Sequence, residues 1–211
     1  MKKESMALKA FSELRKKILS LEITPDTRLK ENFWATRLGV SRVAIRESLT
    51  RLLGEGLVML GDKGGYYVTS FSMQDIQEIR ELREILELGA LKLALPRLSK
   101  EHILRLEKIC NDFTSMAREG YVSGAWEADL KFHETLLEFS GNRKLLQTYL
   151  NSHIPLFHQE LIKSKSNENE FDLTDNEHRL IVKALKDKNL TLAQKHMKVH
   201  FARGAKLVNI E

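Results

Sequence analysis

The sequence is poor in the features that mark secreted or membrane-embedded proteins. Its 211 residues include a single cysteine, Cys110. No disulfide can therefore form within the chain, and a reducing compartment suits it. No run approaches the ~20 apolar residues that span a bilayer. The opening residues, Met1-Lys2-Lys3-Glu4-Ser5, lead into an amphipathic pattern rather than the apolar core of a signal peptide. A soluble, cytoplasmic protein without a membrane partner is expected. Nothing repeats internally, and the length allows one large domain or two small ones with ample core.

Charge is unevenly distributed. Residues 1–70 hold 13 Lys and Arg against 8 Asp and Glu, whereas residues 71–211 hold 21 of each. The whole excess of +5 thus sits in the first third of the chain, where binding a polyanion is its simplest use.

That third contains Leu38-Gly39-Val40-Ser41-Arg42-Val43-Ala44-Ile45-Arg46-Glu47-Ser48-Leu49, which reads as the turn and second helix of a helix-turn-helix. Gly39 can adopt the positive φ of a tight turn, and Ser41 is placed to cap the helix behind it. Ile45, Leu49, Leu52 and Leu53 recur at helical spacing and should face a core. Arg42 and Arg46 lie one turn apart on another face, with Val43 between them. In a major groove the guanidiniums suit guanine or phosphate, and the valine a thymine methyl. On spacing alone an ordinary amphipathic helix with solvated arginines is the more economical reading. The flanking sequence favours the groove.

Residues 6–21 predict a helix with Phe11, Leu14, Ile18 and Leu21 on one side. Pro25-Asp26 predicts a turn. A short helix over 31–38 follows, with Ala35 small enough to allow close approach. Two β-prone runs, Leu57–Leu60 and Tyr66–Thr69, flank Gly61-Asp62-Lys63-Gly64-Gly65 and predict a hairpin. Three helices and a hairpin make a winged helix-turn-helix.

These pieces, in this order, resemble the N-terminal domain of GntR-type bacterial transcriptional regulators. The resemblance rests on Pro25, Arg28-Leu29, Glu31, Ala35, Leu38 to Arg42, Ile45-Arg46-Glu47, Leu49, Gly56-Leu57-Val58, Gly65 and Val68. It implies double-stranded operator DNA as partner and assigns DNA contacts to Ser41, Arg42, Val43, Arg46, Asn32, Lys63 and Gly65. The chain departs from the family pattern at Asp26, where glycine is usual, and at Val43-Ala44, which replaces a common Thr-Pro. Gly64 stands where the wing often has arginine, so Lys63 is its substitute. Asn32 stands where some relatives present an arginine.

Ser70-Phe71-Ser72 marks the junction between an N-terminal domain, 1–70, and a second, 71–211. Ser72 and Asp75 have the spacing of a capping box. Helices are then predicted over 73–95, 100–119, 122–139, 143–162, 173–187 and 190–208, with Ser164 to Glu170 as a loop. The fold class is mainly α: a winged helix-turn-helix followed by an all-α six-helix bundle. Six helices in this order resemble the FCD effector domain of the FadR subfamily, in its shorter VanR-like form.

Several polar residues fall on apolar faces. Asp129 and His133 share a stripe with Trp126, Leu130 and Leu137. A buried carboxylate needs a partner. One turn of separation puts both side chains in reach of one metal ion, although a carboxylate orienting a core histidine explains the pair alone. His178 shares a face with Ile181, Val182 and Leu185, and His200 lies among Ala193, Met197, Gly204 and Leu207. The FCD resemblance groups Asp129, His133, His178 and His200 as ligands of a divalent metal, zinc or nickel by donor type. His196 is a possible competitor for the His200 role. His102, His153 and His158 have no counterpart in the motif, though His153 could line the cavity. Arg83 shares a face with Ile76, Ile79, Leu86 and Ala90 and can pair with Glu87 one turn on. In FCD domains the arginine of Glu-Leu-Arg-x-x-Leu-Glu, here residues 81–87, points into the effector cavity. That implies Arg83 as the partner of a carboxylate effector.

The reading that follows is a metabolite-responsive transcription factor, a repressor acting as a homodimer and sensing a small carboxylate through a metal-containing helical domain. Two alternatives remain. One is a metal-dependent hydrolase with an appended DNA-binding domain, although no Glu-His motif supplies a general base. The other is a DNA-binding protein whose histidines are structural.

Overall fold

The computed structural model describes residues 5–20, 22–152, 154 and 168–207. The chain opens with α1, Met6–Leu19, whose buried stripe is Ala7, Ala10, Leu14 and Ile18. Leu21 lies outside the described residues. Strand β1, Arg28–Leu29, precedes α2, Glu31–Leu38, and α3, Arg42–Gly54. The hairpin follows as β2, Val58–Leu60, and β3, Tyr66–Val68. The wing is larger than the predicted hairpin: β1 pairs antiparallel with β3, giving the strand order β1-β3-β2. Two residues after a Pro-Asp turn carry too little periodicity to read as a strand, and only β3 beside them makes them one.

Asp26 sits at φ 61°, the left-handed conformation that explains glycine at this position in related sequences. Its backbone N–H donates to the Val68 carbonyl, and its carboxylate accepts from Ser70 at 2.7 Å. Ile45, Leu49 and Leu52 are fully buried, with Leu53 packed beside them. They close a core with Leu14, Ile18, Leu29, Trp34 and Val58.

Ser72 starts α4, Met73–Ala94, with the expected capping box. Its hydroxyl accepts from the Asp75 N–H while its own N–H donates to the Asp75 carboxylate. A 3-10 turn at Leu95–Arg97, set by Pro96, leads to α5, Lys100–Arg118. Then come α6, Val122–Phe139; α7, Arg143–Asn151; α8, Glu168–Lys186; and α9, Leu190–Leu207. The predicted continuation of α7 to 162 lies outside the described residues, apart from Ile154.

One prediction is corrected. Helix α8 includes Glu168 to Glu170, which were expected in a loop. Buried Phe171 anchors this turn against Phe113 and Trp126, and the Glu170 carboxylate accepts from Arg203. Both interactions are long-range, so a polar local sequence conceals them.

Helix α6 packs on α4, α5 and α7; α5 packs on α8, α8 on α9, and α9 back on α4. The five helices α4, α6, α5, α8 and α9 thus close a ring. On α4, Arg83 and Glu87 are buried between Ile76 and Ile79 on one side and Leu91 and Ala94 on the other. The polar residues of α6, α8 and α9 meet there. Phe71, at the junction, packs on both the N-terminal core and the apolar cluster of Ile76, Trp126 and Tyr149.

Candidate metal centre and DNA-reading face

At the start of α3, Ser41 accepts a hydrogen bond from the Ala44 N–H at 3.1 Å, and Gly39 turns the chain at φ 64°. Arg42, Val43 and Arg46 are exposed, Val43 to 76%. An apolar side chain at a helix start is left largely uncovered by the described residues. Arg46 is also held: its Nε and Nη2 donate to the two Glu31 oxygens, both at 3.0 Å, and Arg42 Nη2 lies 3.7 Å from Glu31. The hydrogen bond from Arg46 keeps the Glu31 carboxyl below its ordinary range despite some burial. Asn32 on α2 and Lys63 at the wing tip are exposed. Gly65 takes φ 93° beside the Arg28 guanidinium, where a Cβ would meet Nε at 3.2 Å.

The second site is inside the helical ring. Asp129 and His133 come from α6, His178 from α8 and His200 from α9, all buried. Each offers one ligand atom, and these lie within 4.8 Å of one another. His133 Nε2 is 3.2 Å from His200 Nε2; His178 Nε2 is 3.2 Å and His133 Nε2 3.8 Å from Asp129 Oδ1. The four sequence-predicted ligands therefore converge.

Whether these residues fit a metal is decided by the carboxylates behind them. Glu87 Oε2 lies 2.5 Å from His133 Nδ1, and Glu177 Oε2 lies 2.9 Å from His200 Nδ1. Each carboxylate fixes a proton on Nδ1, which leaves the two Nε2 lone pairs facing each other. A shared proton or a metal ion between them satisfies both lone pairs. Burial pushes His200 down to about 3, against the opposite pull of Glu177, so its imidazole is neutral and ready to ligate. Zinc bonds of ~2.0–2.2 Å would draw these atoms closer together than the 4.8 Å they span here. The set fits a divalent ion.

Glu87 and Glu177 were the residues that sequence reasoning missed. Glu87 was legible only as a partner for Arg83, and Glu177 only as a neighbour of His178. Burial tends to raise the Glu177 carboxyl, but hydrogen bonds from His200 and Arg203 outweigh it and hold it at about 2. Arg203 donates to Glu177 through Nε at 2.8 Å and Nη2 at 2.9 Å.

Arg83 makes the ion pair with Glu87 that its spacing allows. Its Nε donates to Glu87 at 2.7 Å, and its guanidinium lies over the Phe201 ring at 4.8 Å. Its Nη2 is buried without a hydrogen-bond partner among the described residues. Arg83, Trp126, Asp129, His200, Phe201 and Arg203 line a cavity of about 110 Å³. His102 acts elsewhere, its Nδ1 capping the Ser99 N–H and its ring stacking on Phe139 at 4.1 Å. His196 is not in the cluster, and His153 and His158 lie outside the described residues.

Residues 6–68 match the family described as bacterial regulatory proteins, gntR family, and residues 78–203 match the FCD domain. An uncharacterized HTH-type transcriptional regulator, YdhC of Bacillus subtilis, is 31% identical over 197 residues, covering 92% of this chain and 87% of that protein. The HTH-type transcriptional repressor RspR of Escherichia coli is 25% identical over 127 residues, covering 60% and 56%. The solved structure of E. coli McbR/YncC superposes with a TM-score of 0.82 at 19% identity, covering 98% of each chain, a likeness of fold. Among the described residues no helix is long and apolar enough to cross a membrane. The hydrolase alternative gives way to these matches: the chain belongs to the GntR family of bacterial regulatory proteins, carries an FCD domain, and is a DNA-binding transcriptional regulator rather than an enzyme.

Proposed function

We propose that this regulator is a repressor of the FadR subfamily that releases or retains its operator in response to a small carboxylic acid. Residues 1–70 read DNA, and residues 71–211 hold the metal, bind the acid and dimerise. Support comes chiefly from one observation: Arg83 Nη2 is buried without a hydrogen-bond partner among the described residues, and Arg83 lines the same cavity as Asp129 and His200. A carboxylate there accepts from the guanidinium, and its desolvation is offset by a charge-assisted hydrogen bond. A zinc or nickel ion in the cluster would add a Lewis-acidic position for a carboxylate oxygen. Glu87 and Glu177 orient the two imidazoles, and Phe201 and Trp126 wall the site from water.

At the other end, Arg42 and Arg46 supply guanidiniums for base edges or phosphate, Val43 meets a thymine methyl, and the Ser41 cap fixes the helix start. Asn32, Lys63 and the Gly65 turn contact the flanking backbone and groove. A homodimer suits a palindromic operator. Ile85 on α4 and Val199 on α9, 70% and 51% exposed on helices that pack together, offer apolar surface for the second copy. The repressor role is carried over from RspR, a repressor by name.

Metal content tests the site. Purified wild type, loaded with zinc or nickel and desalted, should retain about one ion per chain by elemental analysis. Alanine at Asp129, His133, His178 or His200 should lower that value in protein whose circular dichroism is unchanged. His102→Ala should keep it. Wild type that takes up neither ion overturns the assignment.

A further inference from the structure

The tip of the wing carries little charge of its own. Its turn, Gly61-Asp62-Lys63-Gly64-Gly65, holds one acid and one base, and its last two residues have no side chains. A second cation reaches it from outside the hairpin. Arg28 on β1 stands opposite Tyr67 in register, and its guanidinium extends along the sheet to Gly65. A Cβ at residue 65 would meet Arg28 Nε at 3.2 Å and Nη2 at 3.3 Å. Arg28 Cζ lies over the Tyr67 ring, 5.9 Å from its centroid. Gly61 admits the same stack: a Cβ there would meet Tyr67 Cε2 at 2.6 Å, although its φ is not left-handed. Two glycines of the turn thus leave room for one tyrosine and one arginine.

The remaining arginines of residues 1–70 are engaged elsewhere. Arg15 pairs with Glu55, Arg42 and Arg46 with Glu31, and Arg51 with Glu47. Arg37 lies over Phe33 and Trp34 of its own helix. Arg28 is exposed and pairs with no carboxylate among the described residues, Asp62 included. Its N–H fork is open to an acceptor, and the Tyr67 ring holds it in place, which reduces the entropy lost on binding. The hairpin itself is braced on α3. Val58 and Val68 share a core with Ile45, Leu49 and Leu52, and the Tyr66 hydroxyl is 3.4 Å from Thr50 Oγ1. With α3 in a major groove, the tip lies beside the adjoining minor groove. That groove is only ~6 Å wide, which suits a turn without side chains and a flat guanidinium.

We infer that Arg28 is the groove contact of the wing: its guanidinium enters the minor groove beside the Gly64-Gly65 backbone and favours A/T-rich flanks, whose narrow groove concentrates negative potential. This rests on the reading of residues 1–70 as the DNA reader. It adds a preference for base composition outside the base pairs that α3 contacts.

The test is competition binding of full-length protein to duplexes that wild type selects from a random pool. These are resynthesised with the core constant and the base pairs beside it either A/T-rich or G/C-rich. Wild type should prefer the A/T-rich flanks by about fivefold or more. Arg28→Ala should lose that preference while still distinguishing the core from a scrambled one. Arg28→Lys should keep the salt dependence but lose most of the preference, because an ammonium is more strongly hydrated and lacks the planar fork. Lys63→Ala should weaken binding to both flanks alike and lower the salt slope by about one. Melting temperatures report the folding of each variant. A wild type indifferent to its flanks, or a preference that survives Arg28→Ala, overturns the inference and leaves core recognition by Arg42 and Arg46 intact. A lower salt slope in Arg28→Ala with the flank preference unchanged would put the guanidinium on a phosphate, and this too overturns groove entry. If wild type selects no duplex at all, the DNA-reading assignment falls with it.

Discussion

Arg46 is held in place before any DNA arrives. Its two bonds to Glu31 fix a long, flexible side chain with its guanidinium at the exposed face of α3, which reduces the entropy lost on binding. Arg46→Ala should cost about 1–3 kcal/mol of operator affinity at fixed salt. Glu31→Gln removes a negative charge from the proposed DNA-reading face but loosens the clamp. It should therefore narrow the gap between operator and random DNA, with little loss of random-DNA affinity. Competition titrations with both duplexes read each effect, and unchanged discrimination in Glu31→Gln would show that the clamp does not position the arginine. The arginines were legible in the sequence because the Ser41 cap and the Ile45-Leu49-Leu52 stripe leave them one face. Glu31 was legible only as part of a family pattern: its partner is fifteen residues away, and no local spacing connects two helices.

Helices were read where their signals are local. The Ser72–Asp75 box and the apolar stripe of α6 placed those elements to within a residue or so. The signals failed where a distant partner decides the structure: at β1, which exists through β3, and at the first turn of α8, which Arg203 and Phe113 hold. The same division runs through the candidate site. Its four candidate ligand positions were legible from polar residues on apolar stripes together with the family motif, whereas Glu87 was legible only as a partner for Arg83 and Glu177 only as a neighbour of His178. Their burial comes from ring closure of the bundle. The capping box carries a further consequence, because α4 both leaves the junction and presents Arg83. Ser72→Ala should destabilise the helix start by about 1 kcal/mol, seen as a lower urea midpoint. It should also weaken any effect of an acid on DNA binding, since a frayed first turn transmits tilt poorly. A variant with unchanged midpoint and undiminished response would show that this turn does not matter to coupling.

For the molecule as a whole, the ring of helices surrounds the site, and α4 connects it to the wing through Ser70, Phe71 and Ser72. Phe71, packed on both cores, is the side chain through which a shift of α4 would reach the N-terminal domain. Phe71→Ala should leave acid affinity within about twofold while reducing the ratio of operator affinities with and without acid; an unchanged ratio would place the coupling elsewhere. That ratio is the quantity on which the account depends, because an effector acts only through its different affinity for the two DNA-binding states. The most direct measurement is the operator Kd of zinc-loaded protein with and without each of a panel of small mono- and dicarboxylates, for wild type and Arg83→Ala, at one salt concentration. The account predicts a change of about 5- to 150-fold in wild type, none in Arg83→Ala, and equal acid-free affinities for the two proteins. A wild type whose melting temperature rises with the acid while its operator Kd stays constant would contradict it.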